Sequence, residues 1–97
     1  MAEALTDTHG YYAVIKRHYE EGKLYYFVDF PAVNSCYTEG ATLGEAVELA
    51  EDVLGTVLGY MADNNIPLPA KAPAPGVNPG ESVVYIETDL TQYRECA

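Results

Sequence analysis

The chain contains no tryptophan, two cysteines, two phenylalanines and only five lysines and arginines among its 97 residues. Each shortage closes off a class of function. Two cysteines, Cys36 and Cys96, are too few to staple a small secreted scaffold. The bases Lys16, Arg17, Lys23, Lys71 and Arg94 are scattered and face fifteen acids, leaving a net charge of −10. That balance argues against direct binding to nucleic acid, whose phosphates demand clustered cations. No apolar run approaches the roughly 20 residues that span a bilayer. The first nine residues lack the basic-then-apolar order of a signal peptide. A soluble, cytoplasmic chain is expected.

What is present suits one folded domain. Apolar residues make up 48% of the chain, enough for a packed core rather than a disordered polymer. A flexible leader is expected over residues 1–9 and a single domain over 10–97. Tyr11 to Arg17 is rich in β-formers and reads as a first strand. His18 to Lys23, with Glu20, Glu21 and Gly22, has turn composition and leads to a second strand, Leu24 to Phe30. Asp29 marks the solvent side of that strand, so Leu24, Tyr26, Val28 and Phe30 face the core. Pro31 ends it, because proline cannot donate to a ladder.

A third, short strand follows at Cys36 to Glu39. Gly40 then permits a turn, and Thr42 with Glu45 forms a capping box. The helix expected from Leu43 to Asp63 carries Leu43, Ala46, Val47, Ala50, Val53, Leu54, Val57, Leu58 and Met61 on one stripe. Gly55 and Gly59, four apart, allow a close backbone approach, for which the sheet is the expected neighbour. Five of the six prolines fall between residues 66 and 80, an extended and semi-rigid connection. Ser82 to Thr88 is the fourth strand, placed to pair in parallel with an earlier one through a right-handed crossover. The fold class is α+β, in the order β-β-β-α-β, with one helix on a mixed, mostly antiparallel four-stranded sheet.

The stretch from Val28 to Ala46 resembles the HicB antitoxin family. The matching residues are Phe30, Pro31, Cys36, Thr38, Gly40, Thr42, Glu45 and Ala46, followed by Pro67, Pro69 and a closing strand that ends in Asp89-Leu90. Ala32, Asn34, Ser35 and Ala41 stand where that family usually has Asp, Pro, Gly and Asp. The resemblance implies a partial ribonuclease H-like fold and a role in neutralising HicA toxins, small basic messenger-RNA nucleases. Many such antitoxins continue into a DNA-binding module, and this chain looks like a short form without one.

The residues themselves offer little chemistry. A ribonuclease of that fold gathers carboxylates from its first strand, helix and fourth strand around two metal ions. Here the first strand supplies Lys16 and Arg17 instead, and Glu48 and Asp89 give two ligands at most. His9 and His18 have no partner at metal-ligand spacing, and Cys36 reads as a buried structural thiol. Ser35 and Ser82 lack a nucleophile elbow, and Gly76 and Gly80 lie among prolines rather than in a phosphate loop. No catalytic residue, metal or cofactor is expected.

A binding role is the better reading. Nine tyrosines are many for this length, and tyrosine suits both half-buried strands and interfaces. The acidic charge serves solubility by itself and would also hasten capture of a basic partner. The candidate contact residues are Tyr25, Asp29, Glu39, Tyr85, Glu87 and Asp89. The expected partner is a HicA-like toxin, with the chain itself a homodimer or higher oligomer. The alternatives are an orphan HicB-like adaptor or dimerisation module and, more distantly, a degenerate ribonuclease H-like enzyme.

Overall fold

The computed structural model describes residues 7–93. Its elements run β1 (Thr8–Glu20), β2 (Lys23–Asp29), β3 (Tyr37–Gly40), α1 (Leu43–Asp63), β4 (Glu81–Asp89) and a short 3-10 turn, Leu90–Gln92. The four strands form one sheet in the order β3-β2-β1-β4, with α1 packed on one face. Among the described residues, no helix is long and apolar enough to cross a membrane.

β1 extends past its expected bounds at both ends. Thr8 pairs with Asp89, so strand begins inside the stretch expected to be a flexible leader. At the far end the hairpin turn is only Glu21-Gly22, both with positive φ (52° and 81°). That pair of left-handed residues matches the twist of a two-residue hairpin, so the ladder continues through Glu20 and Lys23. Beyond Lys16 no β4 residue pairs with β1, and the hairpin end becomes a two-stranded ribbon.

The largest difference from the expected topology is the direction of β4. It is antiparallel to β1, with Glu81 opposite Lys16 and Asp89 opposite Thr8, and the whole sheet is antiparallel. The proline-rich connection explains this. After α1 it lies at the start of β1, where the Tyr11 hydroxyl donates to the Pro69 carbonyl at 2.7 Å and Lys71 reaches the Gly10 carbonyl. It must then climb from the level of Gly10 to that of Lys16, about 20 Å at strand rise. The ten steps from residue 71 to residue 81 span about 30 Å in an extended proline-type conformation, which suffices. A parallel β4 would have started where the helix ends and left this length unused.

The core lies between the sheet and α1. Tyr11, Ala13, Ile15, Val28, Phe30 and Ile86 meet Ala46, Ala50, Leu54 and Leu58. On the expected core side of β2, Val28 and Phe30 are buried and Tyr26 packs against the core, whereas Leu24 lies in the two-stranded ribbon outside the core cluster. α1 keeps its expected bounds because its signals are local: the Thr42 hydroxyl accepts from the Glu45 N–H, and the Glu45 carboxylate accepts from the Ala41 N–H at 2.6 Å. Leu43 departs from the stripe and stays half exposed (50%). As the first helical residue it projects toward a shallow depression by Arg17 and Tyr26, not into the core.

Gly55 and Gly59 do admit a close neighbour, but it is Tyr93 rather than the sheet. Tyr93 follows the 3-10 turn and lays its ring in the notch those glycines leave. The glycine that lets sheet and helix meet is Gly40, where an added β-carbon would lie 2.7 Å from the Ala46 nitrogen.

Candidate functional site

Strand alternation gives the sheet a second face, turned away from α1. The registers place Gly10, Tyr12, Val14 and Lys16 of β1 on it, with Tyr25, Phe27 and Asp29 of β2, Tyr37 and Glu39 of β3, and Val83, Tyr85, Glu87 and Asp89 of β4. All six candidate contact residues therefore share one face. Their side chains differ in freedom. Glu39 and Glu87 are exposed, Tyr85 is 52% exposed, and Tyr25 and Asp29 are half-buried.

Asp89 is otherwise engaged. One of its carboxylate oxygens accepts from the Asp7 N–H (3.1 Å), the Thr91 N–H (3.0 Å) and the Thr91 hydroxyl (2.8 Å). These donors hold its carboxyl below the usual carboxylate range, the Asp7 N–H contributing most. Asp89 thus caps the 3-10 turn and fastens the start of β1.

The aromatic part of this face is larger than its expected tyrosines. Tyr12 and Tyr85 are direct cross-strand partners, with ring centroids 5.0 Å apart in an edge-to-face arrangement. Phe27 and Tyr37 sit diagonally across β2 and β3 at 5.9 Å. Tyr12, Phe27 and Tyr37 were missing from the expected set. The signal for Phe27 was present, since it lies two residues from Asp29 and so on the same side of β2. Tyr12 needed the β1–β4 register, which no local pattern reveals.

A cavity of about 640 Å³ opens at one end of this face. Its floor is Gly10, Tyr12 and Tyr85, and the 71–75 stretch forms its outer wall. Tyr85 folds over Gly10, where an added β-carbon would collide with the ring. Lys71 braces the wall: its Nζ donates to the Gly10 carbonyl at 2.6 Å and sits 4.1 Å from the Tyr11 ring centroid. Burial, followed by the neighbouring Tyr85, raises the Tyr11 hydroxyl above its usual range.

The charges are more ordered in space than in sequence. Lys16, Arg17 and Lys23, together with His18, collect at the hairpin end of the β1–β2 pair, while Lys71 lies near the start of β1 and Arg94 outside the described residues. Lys16 lies 3.9 Å from Glu81, and His18 lies 3.8 Å from Glu20. Among the described residues, no three His, Cys, Asp or Glu side chains gather where they could hold a metal ion. Glu48 is exposed on α1, while Asp89 belongs to the opposite face of the sheet. Cys36 is buried beneath the loop after β2, and burial, then Asp29, pushes its thiol up to about 11. Cys96 lies outside the described residues.

No family model matches the sequence, and no curated protein is significantly similar to it. The fold does have solved counterparts. A chain of a toxin–antitoxin complex from Streptococcus pneumoniae superposes with a TM-score of 0.81 at 16% identity, over 93% of this chain and 75% of that one. A chain of the HicA3 and HicB3 toxin–antitoxin complex superposes with a TM-score of 0.57 at 18% identity, over 84% of this chain and 99% of that one. This architecture is therefore one found in toxin–antitoxin complexes.

Proposed function

We propose that this chain is the antitoxin of a type II toxin–antitoxin pair, which binds a basic HicA-like messenger-RNA endoribonuclease and blocks it sterically. The observation that carries this reading is the superposition over 93% of the chain on a component of a toxin–antitoxin complex. The chain's own physics agrees with the antitoxin half. A net charge of −10 draws in a basic RNA-binding protein and repels the RNA that protein would cut. The face opposite α1 then supplies what holds a complex together: aromatic rings for apolar contact, with Asp29, Glu39 and Glu87 among them.

In this reading the chain contributes no catalytic group. Its action is occupancy: the sheet face covers the toxin's RNA-binding surface, and access to the toxin's catalytic centre is lost. The place of action is the cytoplasm, where messenger RNA is translated. Co-expression with the small basic protein encoded beside this gene is the test. Restored growth and co-purification of the two chains are expected. A folded, soluble chain that neither restores growth nor co-purifies would overturn the proposal.

A further inference from the structure

We infer that the cavity between the open sheet face and the 71–75 stretch is a preformed socket for an apolar anchor of the toxin, one large side chain flanked by basic residues. This deepens the antitoxin reading and rests on it.

The cavity's volume, about 640 Å³, lies within the range of specific binding pockets and far exceeds the voids left in a packed interior. Its lining is apolar: Tyr12 and Tyr85 below, Pro31 and Ala32 at one side, prolines and alanines above. Such a surface rewards an aliphatic or aromatic occupant.

The socket is also held open before anything binds. The Tyr11 hydroxyl fastens the proline connection at Pro69, and two residues later Lys71 fastens it again at Gly10. Pro73 and Pro75 restrict the backbone between those anchors and the climb to β4. A wall pinned in this way has little freedom left to lose, so less of the contact energy is consumed in ordering it.

Charge decides which occupant fits. Asp29 lies two residues before Pro31 on β2, and Glu87 two residues after Tyr85 on β4, both on the face where the socket opens. Carboxylates therefore stand on two sides of an apolar hole. The cation in the lining, Lys71, is turned into the wall toward Gly10 and Tyr11. A second copy of this chain, itself at −10, would bring more acid to that rim, whereas a basic protein brings the matching sign.

Two variants test the socket without touching the core. Tyr85→Ala removes the floor, and Ala74→Trp fills the hole from the exposed wall. Tyr60→Ala, on an exposed part of α1 away from the sheet, is the control. Binding is read by titrating each purified, folded chain with the neighbouring basic protein, and growth rescue is scored in parallel. At least ~10-fold weaker binding is expected for both socket variants, the range of an interface anchor, with no change for Tyr60→Ala. If wild type binds and both socket variants bind equally well, the socket inference fails and the antitoxin reading survives. If wild type does not bind at all, both fail together.

Discussion

Tyr93 occupies the notch that Gly55 leaves on the surface of α1. A β-carbon at position 55 would run into the Tyr93 ring, and one at position 59 would lie 3.1 Å from its Cβ. Thr88 and Asp52 also interact with the Tyr93 side chain. Gly55→Ala is therefore expected to destabilise the chain by about 1–2 kcal/mol. The overpacking cost exceeds the gain of up to about 1 kcal/mol that alanine brings to a helix interior. Urea denaturation checks the sign. In a Tyr93→Ala background the notch is empty, and the same substitution should become neutral or stabilising.

Position 35 is strained in the opposite sense. Ser35 has φ 59°, the left-handed region that side-chain-bearing residues enter at a cost, in the loop that carries the chain from β2 into β3. The bonds around it, Val33 N–H to Phe30 O and Cys36 N–H to Val33 O, fix the turn whatever residue stands there. Ser35→Gly is expected to stabilise by about 0.5–1 kcal/mol, the relieved strain outweighing the added freedom of the unfolded chain. A lower midpoint in denaturant would contradict this.

These two positions show how far the sequence could be read. α1 was legible to the residue because period and cap are local, and the core side of β2 followed from one misplaced acid, Asp29. That the six candidate contact residues share one face came from the strand registers, not from the sequence. Non-local geometry was not legible. The direction of β4 depends on where the proline connection is fastened, and that required Tyr11 to find Pro69 and Lys71 to find Gly10. The occupant of the Gly55 notch lies 38 residues downstream, beyond any window of periodicity. Asp89 looked like a free carboxylate because Asp7, its strongest donor, reaches it only when β1 and β4 pair, while the two bonds from Thr91 are local.

Cys36 predicts an alkaline limb in the stability profile. Its thiol is raised to about 11 in the folded chain, against 9.0 for an ordinary thiol. Between those values the unfolded chain loses its proton first, so stability present below pH 9 declines as pH rises toward 11. Cys36→Ala should flatten this limb, measured as denaturation midpoint against pH. The same burial makes the folded thiol slow toward a thiol-specific reagent at pH 8, with labelling appearing on unfolding.

Asp89 governs the acid limb. Its carboxyl is held low by hydrogen bonds from Asp7 and Thr91, so its stabilising effect is complete above the ordinary carboxylate pKa. The effect is lost as pH falls through the lower, folded value. Asp89→Asn should lower the thermal midpoint at neutral pH and narrow the gap to wild type as the solution is acidified. Faster amide exchange at the start of β1 would accompany it, because the Asp7 N–H loses its charged acceptor.

Charge on the open face separates an antitoxin from a merely soluble acidic domain. Glu39 and Glu87 are exposed and lie on the same face as the aromatic rings, but no ring depends on them for its position. In a Glu39→Lys, Glu87→Lys double variant the association rate with the proposed basic partner should fall by about 10-fold or more at low salt, while the dissociation rate stays within a few-fold of wild type. Raising the salt to about 0.5 M should bring the two association rates together, since exposed charges are then screened over a few ångströms. Loss of Tyr85 should act on the other rate: the complex forms at nearly the same speed and falls apart sooner. If the charge served solubility alone, the double variant would aggregate more readily yet associate with the partner at an unchanged rate. Stopped-flow kinetics across a salt series resolves the two cases, because steering by the face and anchoring in its socket have opposite signatures in time.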